Sequence, residues 1–427
     1  MDFTLPYGTH TLHGTLDWAT VLATLRTADA PALADPEETL RSALRNPLHT
    51  PPLPARLHQG ETVLIIVSDS FRKTGIHYVL PTLIAALNDQ GIEDNAISFL
   101  FATGSHRPPT PEEQREILGP STHARFKERA FSHDPHDATQ HGFCGTTSRG
   151  TPVYINRRAL DADHVIATGT VVLHYFGGFG GGRKSIVPGI AGMKTIAANH
   201  ALNLHPTAPR LNPAVAIGRL EGNPVAEDML EGARLGPSVF LINTVLNRDG
   251  AIAHLVAGEL EAAHRAACEA ASALFHVPFE ETADFVIASA GTAKNFVQSH
   301  KALYNAFQVL KPGGFLLLAA PAPEGFGGNK FSEWLSLGST AAIITALRQH
   351  AEINGQTALS TLEKARGARL ITELSIENVN ALGAIKVPDL PTGLAQIRAK
   401  LAERGIDHPT CYIMPDAACS VPFRATP

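Results

Sequence analysis

Three short apolar runs decide the class of fold open to this chain. TVLIIV (62–67), AISFLFATG (96–104) and HVIATGTVVL (164–173) are rich in β-branched and aromatic residues, and each empties into small or polar residues: SDSFR, SHR and HYFGG. Such runs read as buried strands that deliver functional side chains at their C-terminal ends. After the first, PTLIAALNDQG (81–91) spaces its apolar residues at helical intervals and stops at a glycine, and PEEQREILG (111–119) opens with proline and acids and stops the same way. Strands alternating with helices imply a mostly parallel sheet.

A second series follows the alanine-rich helix EAAHRAACEAASALF (261–275): DFVIASAG (284–291) runs into KNFVQSHKALYNAFQVL, and GGFLLLAAPAPEGFGGNK (313–330) reads as strand then loop. The expected fold class is α/β, with two α/β domains built on mostly parallel sheets and an active-site cleft between them, since ligands of open α/β sheets sit at the carboxyl ends of strands. The first domain is placed at residues 1–277, joined by a C-terminal tail at 409–427 that carries the strand-like run Thr410 to Met414, and the second at 278–408.

A composition with 44% hydrophobic and 18% charged residues is that of a globular chain with a sizeable core. The net charge of -5 comes without any long Lys/Arg block, so neither nucleic acid nor an anionic membrane is an expected partner. A small molecule is. The start MDFTLPYGTHTLHG lacks the basic and apolar regions of a signal peptide, and a cytoplasmic protein is expected. Four cysteines without CxxC spacing (Cys144, Cys268, Cys411 and Cys419) do not make a disulfide framework and read as packing residues.

The loop after the third run, HYFGGFGGGRKSIVPG, has five glycines among residues 177–182. Glycines after a strand let backbone N–H groups approach a phosphate. A Walker motif needs lysine directly after its last glycine, and here Arg183 stands between Gly182 and Lys184. A dinucleotide-binding GxGxxG can be forced onto so glycine-rich a run by chance, and a flexible surface turn is the plainer alternative. His174 and Lys184 flank the loop, and these argue against a mere turn. Of 20 histidines, His106, His174 and His200 stand out, two at strand ends and one close after the loop. HDPHDATQH (133–141) has metal-ligand residue types but reads as a solvated loop.

With these residues in view, the sequence resembles the nickel-dependent lactate racemases over essentially its whole length. The resemblance rests on H-x3-G-x2-GG-x-K-x3-PG, met by His174, Gly178, Gly181, Gly182, Lys184, Pro188 and Gly189. Asp69 and Arg72 in SDSFRKTG, His106 in GSHR, His200, and Gln298 with Lys301 in NFVQSHKAL follow in the family's order.

The resemblance implies an isomerase that interconverts the D and L forms of a short 2-hydroxy acid, lactate or a close homologue, through a 2-keto acid. Its cofactor would be a nickel-pincer nucleotide, a pyridinium mononucleotide with two thiocarbonyl arms, tethered to Lys184 and with Ni(II) also ligated by His200. Gly178, Gly180, Gly181 and Gly182 would cradle its phosphate. His106 and His174 would be the paired acid/base residues, while Arg72 and Lys301, supported by Gln298, would hold the substrate carboxylate. Asp69 would orient Arg72 or the cofactor's ribose, or else be a turn residue. Cofactor-synthesis enzymes would be transient partners.

Where family members commonly have Asp-His-Thr-Arg this chain has Asp69, Ser70, Phe71 and Arg72, and the usual Pro-x-Asp-x-Asn-x-Tyr-Gln becomes Gly291 through Gln298. These departures leave open a racemase or epimerase of a larger 2-hydroxy acid with the same cofactor. An NAD-type dehydrogenase is the alternative from another enzyme class. Phe71 either lines the substrate pocket or packs beneath the sheet.

Overall fold

The structure, a computed structural model, describes residues 1–349 and 352–424. It is α/β with largely parallel sheets, and it divides into two compact units. Residues Asp29–Pro206 and Leu211–Leu274 form the first. Its six-stranded sheet places Val63–Ser68 in the middle, with Ile97–Ala102 parallel on one side and His164–Thr170 parallel on the other. Ala130–Ser132 extends the sheet beyond Ile97–Ala102, and Val239–Leu246 and then the antiparallel Ile252–Glu259 extend it beyond His164–Thr170. The three runs singled out in the sequence are thus neighbours. All three point the same way, so Asp69, His106 and His174 leave the sheet at one edge. Val63, Ile65 and Val67 pack with Leu83, Leu87 and Phe99 in the core beneath.

Met1–Ala28, Thr207–Arg210 and Phe275–Pro427 make up the second unit. Its main sheet has six strands, all parallel, in the order Ile385–Lys386, Arg369–Ile371, Leu310–Ala319, Ala283–Ser289, Thr410–Met414, Thr20–Thr24. This changes the expected division of the chain. Residues 1–28 and the tail belong here, because Thr410–Met414 pairs with Ala283–Ser289 and then accepts Thr20–Thr24 at the sheet edge. Which sheet a short strand joins depends on pairing between residues hundreds of positions apart, and nothing in its own residues announces that choice. Among the described residues no helix is long and apolar enough to cross a membrane.

Candidate active site

Asp69 follows the central strand and is only 2% exposed, yet it is not paired with a cation of fixed charge. Its Oδ2 lies 2.6 Å from His106 Nδ1, and its Oδ1 accepts the Phe71 N–H at 3.2 Å. Arg72 meets Asp69 through a backbone bond, its N–H donating to the Asp69 carbonyl at 3.3 Å, so the Asp69 carboxylate is turned to His106 and to the Phe71 N–H of the turn. A carboxylate facing Nδ1 places the ring's hydrogen there, which leaves Nε2 of the neutral imidazole as a lone pair. Nε2 is therefore the ring nitrogen that can accept a proton. Arg72 is exposed just beyond the strand end.

Phe71 is 58% exposed, which removes it from the core. Its ring lies 4.9 Å from the His106 ring, and the Arg107 guanidinium covers it at 5.3 Å. Arg107 is held in turn by both oxygens of Glu113, at 2.6 Å each. Glu113 also closes a capping box with Thr110 at the start of the Pro111–Leu118 helix. Arg107 first and the Thr110 N–H second bring the Glu113 carboxyl down to about 2. One helix cap thereby steadies the loop that carries His106.

A second group forms around Phe176, a fully buried residue in the glycine loop that the sequence reading passed over. Its ring centroid is 4.5 Å from the His174 ring, 4.9 Å from the His200 ring and 4.9 Å from Lys184 Nζ. Three of the expected site residues thus meet on one aromatic surface. His200, near the end of the Met193–Ala201 helix, is 1% exposed; burial, with the Lys184 charge behind it, takes the ring down to about 3, so it is a neutral imidazole. Gly177 donates its N–H to His174 Nδ1 at 3.3 Å, which in the neutral ring puts the hydrogen on Nε2. His106 and His174 are therefore set in opposite tautomers. A backbone bond from Gly104 N to Gly189 O, 2.9 Å, joins the His106 loop to the end of the glycine loop.

Several of the loop's glycines stand where a side chain has no room. A Cβ on Gly178 would stand 2.1 Å from the Arg219 carbonyl oxygen, and one on Gly182 would enter the His264 ring at 2.3 Å. Gly181 would meet Val171 at 2.7 Å. Phe179 N–H bonds Gly177 O, Gly180 N–H bonds Val172 O, and Gly182 N–H bonds Asn243 Oδ1. The Phe179, Gly180 and Gly182 amides are used inside the protein, and Gly178, Gly181 and Gly182 let the loop pack closely on its own unit. Gly180 is in ordinary contact with Val172. Gly177 faces the site: its missing side chain leaves a space 3.5 Å from Lys184 Nζ and 3.7 Å from His174 Nδ1.

Gln298 and Lys301 lie in the second unit, both exposed and three residues apart on the helix Phe296–Phe307. Asn295 caps that helix through the Gln298 N–H, and Gln298 Oε1 accepts from Lys294 N–H at 2.9 Å. The histidine-rich 133–141 segment is solvated along much of its middle, with Asp134, His136, Ala138 and Thr139 exposed, but not at its ends. His133 and His141 at its ends are buried with rings 5.2 Å apart, and His133 spends its nitrogens on Asn156 and the Ala191 carbonyl. Among the described residues no three His, Cys, Asp or Glu side chains group as a metal site by themselves. All four cysteines are free thiols.

Residues 7–210 match the family described as the lactate racemase N-terminal domain. A lactate racemase of Thermoanaerobacterium thermosaccharolyticum is 33% identical over 301 residues, 70% of this chain and 68% of that protein. One from Lactiplantibacillus plantarum is 34% identical over 301 residues, 69% and 68% of the two chains. The solved structure of the Thermoanaerobacterium thermosaccharolyticum lactate racemase apoprotein is similar with a TM-score of 0.87 and 27% identity, covering 99% of this chain and all of that one. A crystal structure from Thermotoga maritima shares the fold, with a TM-score of 0.66 at 18% identity over 93% of this chain.

Proposed function

Because the chain belongs to the lactate racemase family, we propose that it interconverts the D and L forms of lactate or a close 2-hydroxy acid homologue, through a 2-keto acid, with a nickel-pincer nucleotide as cofactor. The observation that carries this reading is the convergence of His174, Lys184 and His200 on the Phe176 ring. The residues present fit the cofactor. Lys184 offers an amine for a covalent tether, and the neutral imidazole of His200 is the form in which histidine binds a metal. An imidazole beside a soft sulfur pair suits Ni(II).

The Cα proton of a 2-hydroxy carboxylate is barely acidic, because its removal puts a second negative charge beside the carboxylate. When bound, the electron-poor pyridinium supplies a hydride acceptor, which avoids that carbanion. The chain's own residues then have the proton to move. His106, oriented by Asp69, takes the hydroxyl proton at Nε2. His174 serves the opposite face, and the two exchange roles between the forward and reverse directions, the Gly177 N–H leaving His174 Nδ1 when that ring is protonated. Arg72 binds the substrate carboxylate, for which its planar fork is suited, and Gln298 and Lys301 are proposed as further substrate ligands. Phe71 on the His106 ring favours a substrate matched to the space it leaves, which keeps a homologue of lactate in view.

Protein made together with cofactor-building enzymes is expected to interconvert D- and L-lactate, to carry about one nickel per chain and to show a nucleotide-sized mass increase that Lys184→Ala abolishes. Full activity in protein that carries neither adduct nor nickel would remove the cofactor from the reading. Loaded protein that leaves lactate and its longer homologues unchanged would remove the reaction.

A further inference from the structure

Arg183 entered the sequence reading only as the residue that spoils a Walker pattern. In the structure it is 2% exposed, and none of its hydrogen bonds goes to a carboxylate. Its Nη2 donates to the Gly177 carbonyl at 2.6 Å, its Nε to the Ala226 carbonyl at 3.1 Å, and its Nη1 to His264 Nδ1 at 3.0 Å. His264, on the helix Leu260–Phe275, donates from Nε2 to the Gly180 carbonyl at 3.0 Å. Burial and the Arg183 charge take the His264 ring down to about 3, in keeping with a neutral imidazole that accepts at one nitrogen and donates at the other. The nearest acids are already engaged, since Glu221 and Glu261 pair with Arg265.

Burying a cation without a counter-ion costs several kcal/mol, and an apolar side chain of similar volume would fill the same space without that cost. What the guanidinium adds is direction. Two of the bonds in this arrangement end on carbonyls of the glycine loop, Gly177 directly and Gly180 through His264. Gly177 is also the residue whose N–H reaches His174 Nδ1 and whose bare Cα faces Lys184 Nζ. A flexible glycine is held from its carbonyl side while its amide selects the tautomer of a neighbouring histidine.

We propose that Arg183, with His264, is a positioning residue for the site: the buried guanidinium fixes Gly177 so that its N–H holds the resting His174 ring at Nδ1, in one orientation and one tautomer. The catalytic half of this inference rests on the racemase reading, whereas the tautomer half does not. Three variants test it: Arg183→Met removes the donor at similar length, His264→Leu removes the imidazole's bonds to Arg183 and to the Gly180 carbonyl, and His264→Gln restores an acceptor for Arg183 and a donor for Gly180. In apoprotein, the ring-nitrogen NMR signals of His174, identified by their loss in His174→Gln, are expected to show one dominant tautomer in the parent chain and in His264→Gln. They are expected to show a mixture in Arg183→Met and His264→Leu.

In cofactor-loaded protein, kcat should fall on the order of 100-fold in the two disrupted variants, with KM within a few-fold and recovery in His264→Gln, the cost expected of a misplaced catalytic group. If Arg183→Met does not fold, the His264 pair decides. Unchanged tautomer and kcat in the disrupted variants would reduce Arg183 to a packing residue. Should the loaded parent chain lack racemase activity, the tautomer signals still test the positioning on their own.

Discussion

Phe71 shows how much a single residue's surroundings can decide. By type it belongs in a core, and the sequence left it between core and pocket; an exposed ring tilted against His106 and covered by Arg107 settles that it is not core. A ring at that place takes up volume that threonine leaves open. One methylene of pocket complementarity is worth about 1–3 kcal/mol, so Phe71→Thr is expected to shift the ratio of kcat/KM between lactate and a longer aliphatic homologue by at least about tenfold toward the longer one. The comparison is made with both proteins equally loaded. An unchanged ratio would mean that substrate choice lies elsewhere, with the altered segment from Gly291 to Val297 the next place to look.

The glycine loop is the element whose sequence was easiest to see and hardest to interpret. Its composition suggested a phosphate cradle, and in three dimensions Gly178, Gly181 and Gly182 are packed against Arg219, Val171 and His264. Gly178 has φ +72 and a backbone carbonyl where a Cβ would go, so relief by side-chain movement is not available. Gly250, with φ +83 and nothing within 4 Å, is the natural control. The left-handed backbone alone costs a non-glycine residue about 1–2 kcal/mol. Gly250→Ala should lose about that much in denaturant unfolding, and Gly178→Ala distinctly more, together with the site. Equal losses would show that the approach of Arg219 is not a constraint on the loop.

At the scale of the molecule, several histidines are folded away in neutral form. Burial brings His264 and His300 each from 6.5 to about 3, and His133 to about 4. Their folded-state values are depressed, so between those values and 6.5 the unfolded chain binds protons that the native chain does not, and stability falls as pH falls through that window. Each ring contributes roughly 1.4 kcal/mol per pH unit there. The urea midpoint of the apoprotein is expected to drop clearly from about pH 7 to about pH 5, and His264→Gln should flatten part of the slope. A midpoint constant across that range would mean that these rings accept protons in the folded state.

What the amino-acid sequence determined by itself was whatever depends on near neighbours: strands ending in polar residues, helices stopped by glycine, an α/β class, and the motif that aligns His174 with Lys184. Period and capping are local physics, and they can be read one segment at a time. Tertiary structure alone decided the rest. It turned Asp69 toward His106, because the two strand ends lie side by side in the sheet though their residues are 37 positions apart. It chose Phe176 as the surface on which three of the expected site residues meet, and it brought His264, unremarked within the alanine-rich helix, to the glycine loop, 84 positions from Gly180. It also sent the first 28 residues to the sheet formed by the end of the chain. Contacts of that kind are set by which surfaces pack and which strands pair, and those are properties of the assembled chain that no single stretch of residues carries.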